Sequence, residues 1–141
     1  MLSPVQESAI RECAARSAAG TISFGEVVMR MIEVGVERYH ADYCRHENTF
    51  YLPDGSSLVV AMAHGSESPA NEPPIAVEFA AREVEAAIRG AQRGEVMYPE
   101  FVRLTRAAGC VGYFVQLTGR SVQYFGRTGA MHVEPFPGAK S

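Results

Sequence analysis

Residues 35–55 read GVERYHADYCRHENTFYLPDG and hold two of the chain's four histidines, one of its three cysteines and three of its six tyrosines. A histidine next to a carboxylate can have its tautomer fixed and its basicity raised, and a phenol opposite can donate or accept a proton. His40, Asp42, Thr49 and Tyr51 therefore form a candidate ligand-binding set, with Cys44 and Glu47 nearer the hairpin tip. An alternative reading is a small enzyme with His40 as general base, Asp42 orienting it and Tyr51 as proton partner. His40, Asp42, Cys44 and His46 occupy every second position, but along a strand at about 3.3 Å per residue they span roughly 20 Å, too far for one ion to use all four. No zinc spacing accompanies them, so neither a metal nor a cofactor is expected. Cys44 beside His46 has no third group to orient a thiol nucleophile. The chain also lacks GxSxG, P-loop, GxGxxG and HExxH patterns, so the common hydrolase, nucleotide-binding and zincin chemistries have no support.

These side chains need a strand pair to bring them together. Residues 109–129, GCVGYFVQLTGRSVQYFGRTG, match residues 35–55 at a constant offset of 74: Gly35 with Gly109, Tyr39 with Tyr113, Phe50 with Tyr124, Tyr51 with Phe125, Gly55 with Gly129. Gly119-Arg120 reads as a two-residue hairpin turn. The offset then places Arg45-His46 at the first turn and pairs His40 with Tyr51, Asp42 with Thr49 and Cys44 with Glu47 on one face. Tyr39, Ala41 and Phe50 fall on the other, mainly apolar face. In the second copy Phe114, Phe125, Gln116 and Gln123 replace His40, Tyr51, Asp42 and Thr49, so the ionisable set belongs to one copy only.

Ser3 with Gln6 and Ser23 with Glu26 are capping boxes that open helices over about 3–18 and 23–34, the second stopped by Gly35. Val5, Ala9, Ile10, Cys13 and Ala14 form the apolar face of the first helix; Phe24, Val27, Val28, Met31 and Ile32 that of the second. A third strand over 58–63 scarcely alternates and reads as buried on both faces. A polar loop over 64–74 precedes a helix over 76–93. Pro99 opens a fourth helix with Phe101, Leu104 and Ala108 inward, and three strands follow over 110–118, 121–127 and 130–134. The pattern predicts an α+β fold, an antiparallel β-sheet covered by helices, in a single domain over 1–141 with units of about 22–63 and 98–134. His132 reads as a sheet-face residue and 135–141 as a loose end.

With 141 residues, 47% hydrophobic and 21% charged, the composition is globular. A net charge of −3 with no basic cluster gives no reason to expect nucleic acid as partner. Residues 1–78 carry 5 basic and 11 acidic side chains, residues 79–141 carry 8 and 5. The longest clean apolar run, 58–63, is too short to span a bilayer, and no signal segment is apparent, so no membrane is expected. Cys13, Cys44 and Cys110 form no CxxC pair, which together with the lack of a signal points to a reducing, cytoplasmic setting. Strand edges that need covering point to a homodimer.

Gly35-Val36, Tyr39-His40, Asp42, residues 49–55, Phe101, Ala108-Gly109, Tyr113, Tyr124 and Gly129 together resemble the YbcV-like family of small bacterial proteins, some of them labelled phage envelope proteins. The resemblance spans nearly the whole chain and implies the fold unit; it brings no catalytic residue with it. The expected function is a binding or interaction module that takes a small polar ligand or a protein partner on the polar face of the first hairpin.

Overall fold

A computed structural model describes residues 1–62 and 73–137. The expected loop at 64–74 lies almost wholly outside them. The element order is α1 (Pro4–Ala18), α2 (Phe24–Glu33), β1 (Arg38–Asp42), β2 (Glu47–Tyr51), β3 (Ser57–Ala61), α3 (Ala81–Gln92), α4 (Tyr98–Ala107), β4 (Cys110–Gln116), β5 (Ser121–Gly126) and β6 (Met131–Pro135). The six strands form one antiparallel sheet in the order β3-β2-β1-β4-β5-β6, packed on one face by the helices. The expected α+β architecture is the one observed.

Both capping boxes are made. Ser3 Oγ accepts from Gln6 N–H and Gln6 Oε1 from Ser3 N–H, while Ser23 and Glu26 do the same for α2. Such caps satisfy backbone donors that the first helical turn leaves without partners. Helix α3 starts five residues later than its apolar spacing predicts. No polar cap precedes Ala81, and the segment before it is instead tied to the end of α4, with Ala80 N–H donating to Ala108 O at 2.7 Å. Helix faces are narrower than expected: Ile10, Cys13 and Met31 are buried, but Val5, Ile32 and Leu104 are exposed. On α4 the inward positions beside Phe101 are Val102 and Thr105.

The two strand units obey the offset of 74 in the backbone itself. Gly35 and Gly109 have φ of 85° and 93°, Gly55 and Gly129 both 89°, and the non-glycine residues His46 and Arg120 have 55° and 57°. Both hairpins also differ from the expected register in the same way. Asp42 pairs with Glu47 and Gln116 with Ser121, so each turn has four residues and each ladder is shifted by two. In the first turn Asp42 Oδ1 accepts from the N–H groups of Cys44 and Arg45, and left-handed His46 closes the loop. A two-residue shift keeps every side chain on its expected face, whereas a one-residue slip would have exchanged the faces. β3 is an edge strand with Val59 49% exposed, not a strand buried on both faces.

β1 and β4 join the units, and in that ladder His40 stands opposite Phe114, its own counterpart at the offset of 74. The local two-fold axis relating the units therefore passes between these two residues. Tyr39, Ala41, Tyr43, Phe50, Tyr113, Val115, Val122 and Tyr124 point toward the helices and are buried.

Gly109 is required twice over, since its φ is left-handed and a Cβ there would stand 2.1 Å from Glu78 O. Gly55 has the same backbone strain with open space around it. Gly55→Ala should cost about 1–2 kcal/mol, the strain alone, while Gly109→Ala should exceed ~3 kcal/mol. Urea denaturation of both variants checks the order; equal costs would refute the close approach of Glu78.

Candidate functional site

The four expected residues share the face of the sheet that points away from the helices. His40 pairs with Thr49 on β2, Tyr51 with Arg38 on β1, and Asp42 with Glu47. All are half-buried. The His40 ring stacks on Phe114 at 4.4 Å between centroids and 8° between planes, and the Arg38 guanidinium lies over the Tyr51 ring at 4.2 Å. Asp42 spends its Oδ1 on the hairpin turn, and no hydrogen bond joins His40 to Asp42 or Tyr51. Burial lowers the His40 pKa from its ordinary value, and Asp42 opposes that only in part. The face thus brings the set together as neighbours in a sheet, with the histidine kept neutral and stacked; it does not link them in a proton relay. Cys44 is exposed near the tip, and His46 is the left-handed turn residue.

The opposite face holds a second candidate site, one that no sequence motif marks. Between the sheet and α1, α2 and α3 lies a cavity of about 630 Å³. Its walls are mainly apolar: Val28 of α2, Ile88 and Ala91 of α3, Phe101 of α4 and Val122 of β5 among them. Its floor is aromatic. Tyr39 packs against Phe50 at 5.1 Å and Tyr113 against Tyr124 at 5.4 Å, the same pair in the two units, with Phe101 6.0 and 6.2 Å from the second pair. Tyr39, Tyr113 and Tyr124 are only 5%, 3% and 4% exposed. Their hydroxyls make no hydrogen bond among the described residues, in contrast to Tyr43, whose hydroxyl meets Thr105 Oγ1 at 2.8 Å. Asn48, also in the wall, has a buried Oδ1 with no partner. Burial pushes the phenols of Tyr39, Tyr113 and Tyr124 above their ordinary range, so they remain protonated donors.

A charged cluster stands at one edge of this cavity. Glu134 lines it, with Oε2 2.6 Å from Arg89 Nη1 and Oε1 3.2 Å from His132 Nε2, and Glu85 Oε1 lies 3.9 Å from the same imidazole nitrogen. Glu85, His132 and Glu134 offer ligand atoms within 4.8 Å of one another, the one such group among the described residues. Their contacts with each other and with Arg89 account for their placement as an ion-pair network that ties α3 to β6. Arg89 and His132 together hold the Glu134 carboxyl below its ordinary range despite its burial. His132 therefore stands on the helix side. Phe136, in the expected loose end, packs edge-on against Phe24 at 6.4 Å and lines the cavity. Cys13 and Cys110 are buried, and burial raises both thiols, that of Cys110 to about 11, so neither is poised as a nucleophile.

The tyrosines were legible in part: residues 39 and 113 are tyrosine in both copies on the face read as apolar, which is a polar handle directed inward. The cluster of Glu85 and Arg89 with His132 and Glu134 joins a helix to a strand and leaves no local signal. No protein-family model matches the sequence, and no curated protein matches it.

His40→Phe, which installs the residue of the other copy, should preserve the fold. Because the folded-state pKa of His40 lies below its ordinary 6.5, the unfolded chain takes up the proton first; stability is complete above about 6.5 and declines as pH falls toward the folded-state value. The melting temperature of the wild type should therefore fall more than that of His40→Phe between pH 7 and pH 5. Parallel curves would show that His40 is not buried against Phe114.

Proposed function

We propose that this protein is a small-molecule binding module whose ligand lies between the helices and the inner face of the sheet. The cavity of about 630 Å³ carries the proposal. Its size falls within the range of about 300–1,000 Å³ typical of small-molecule sites, and its apolar walls with a few inward polar groups have the usual composition of such sites. The binding-module expectation is kept, and its ligand moves from the outer face of the first hairpin to the inner face of both units. His40, Asp42, Thr49 and Tyr51 then act as the back of the scaffold: they hold β1 against β2 and β4 directly behind the cavity floor. Catalysis has less support, since Asp42 is committed to the turn and His40 to its stack on Phe114.

A fluorescent apolar probe, N-phenyl-1-naphthylamine, should bind the wild type with about one probe per chain. Ala91→Phe and Val28→Phe place a ring in the cavity and should weaken that binding at least about tenfold, equivalent to losing ~1.4 kcal/mol, with the circular dichroism spectrum and cooperative melting retained. Failure of the probe to bind, or undiminished binding by both folded variants, would remove the cavity as the site.

A further inference from the structure

A tyrosine hydroxyl taken out of water normally finds a hydrogen-bond partner in the fold. The hydroxyls of Tyr39, Tyr113 and Tyr124, on β1, β4 and β5, have no hydrogen-bond partner among the described residues and keep some accessible surface, although that of Tyr43 on the same face is bonded to Thr105. All three line the cavity. A phenylalanine would pack as well at each place, as Phe50 does at the position equivalent to Tyr124. The hydroxyls are thus unnecessary to the packing.

Resting on the cavity reading above, we propose that the ligand is an apolar molecule with an uncharged hydrogen-bond acceptor at one end, a carbonyl of the ketone, aldehyde, ester or amide class, received by the hydroxyls of Tyr39, Tyr113 and Tyr124. The neutrality of the acceptor follows from what surrounds the floor. The cations in the cavity wall, Arg93 and Arg120, are exposed residues, and Arg89 is committed to Glu134. A carboxylate buried at the tyrosines would therefore lose its hydration without gaining a counter-charge, which the donors alone offset poorly. An ammonium head would lose its hydration in the same way, since the Glu134 carboxylate in the wall is already paired with Arg89 and His132. A carbonyl oxygen has two lone pairs and accepts from two or three hydroxyls at little desolvation cost. The apolar remainder of the ligand then meets Val28, Ile88, Ala91 and Phe101.

The test is displacement of N-phenyl-1-naphthylamine by four eight-carbon compounds, 2-octanone, n-octane, octanoate and 1-octylamine, from the full chain. Wild type should take 2-octanone at least about tenfold more tightly than n-octane, the increment of one to two neutral hydrogen bonds, and more tightly than octanoate or 1-octylamine. In the triple variant Tyr39→Phe, Tyr113→Phe, Tyr124→Phe the preference for the ketone over the alkane should shrink to within about twofold, with n-octane binding unchanged. Tyr43→Phe should keep the ketone preference, since its hydroxyl is already bonded to Thr105. Each single Tyr→Phe change at the cavity should leave the melting temperature unchanged or higher, because no protein hydrogen bond is lost, which keeps the variants usable. Equal binding of ketone and alkane by the wild type, tighter binding of octanoate, or a ketone preference that survives the triple change overturns the inference while the cavity stands. A probe that does not bind, or that all four compounds fail to displace, overturns the cavity reading itself.

Discussion

The central ladder between β1 and β4 is the constraint on which the rest depends. Five residue pairs, from Arg38 with Gln116 to Asp42 with Gly112, join two three-stranded meanders into one sheet. An antiparallel pair of equivalent strands has a local two-fold axis through opposed residues, and here those residues are His40 and Phe114. Their stacked rings mark the axis on the outer face. Gly112 shows how close the ladder runs: a Cβ there would stand 2.3 Å from Ala41 O, so the strand beside the bulge must carry glycine.

One backbone scaffold repeated about that axis carries different chemistry on its two faces. Outward, the copies diverge: His40, Asp42, Thr49 and Tyr51 in the first unit, Phe114, Gln116, Gln123 and Phe125 in the second. Inward they converge on aromatic pairs, Tyr39 with Phe50 and Tyr113 with Tyr124, and differ in where polar atoms are placed. Tyr43 matches Leu117, Asn48 matches Val122 and Tyr124 matches Phe50 at the offset of 74. Divergence on a buried face bears more heavily on function than divergence on a half-exposed one, because each polar atom there must find a partner or a ligand. The helices roof this face at a distance that leaves room for a small molecule, and the network of Arg89, Glu134, His132 and Glu85 holds α3 to the edge strand at one end of that space.

Much of the scaffold was readable in the chain. Capping boxes at Ser3 and Ser23, left-handed stops at Gly35 and Gly109, and period-two alternation from Val36 onward all report local backbone chemistry, and local chemistry decided them. The hairpin register lies two residues from the one that spacing predicts because the left-handed position in each turn falls on His46 and Arg120, not on a glycine, while Gly119 signals a tighter turn. The start of α3 lies later than spacing predicts because the hydrogen bond from Ala80 to Ala108 acts across 28 residues of chain. The edge position of β3 is hidden in the sequence because its apolar run resembles a central strand, whereas strand order is a property of the whole sheet.

The candidate site was legible in its parts and not in its location. Crowding of ionisable residues singles out His40 and Asp42, whose types allow chemistry but whose commitments, a stack and a turn, depend on partners at 114, 44 and 45. The sequence by itself determined the starts of α1, α2 and α4, the repeated strand unit and the sorting of side chains onto two faces, since spacing and backbone propensity act over a few residues. Only the tertiary structure decided which tyrosines share a cavity and which of them lack a partner. Hydrogen-bond satisfaction is counted between elements far apart in sequence, and Tyr43 finds Thr105 across 62 positions where Tyr39, Tyr113 and Tyr124 find no partner among the described residues.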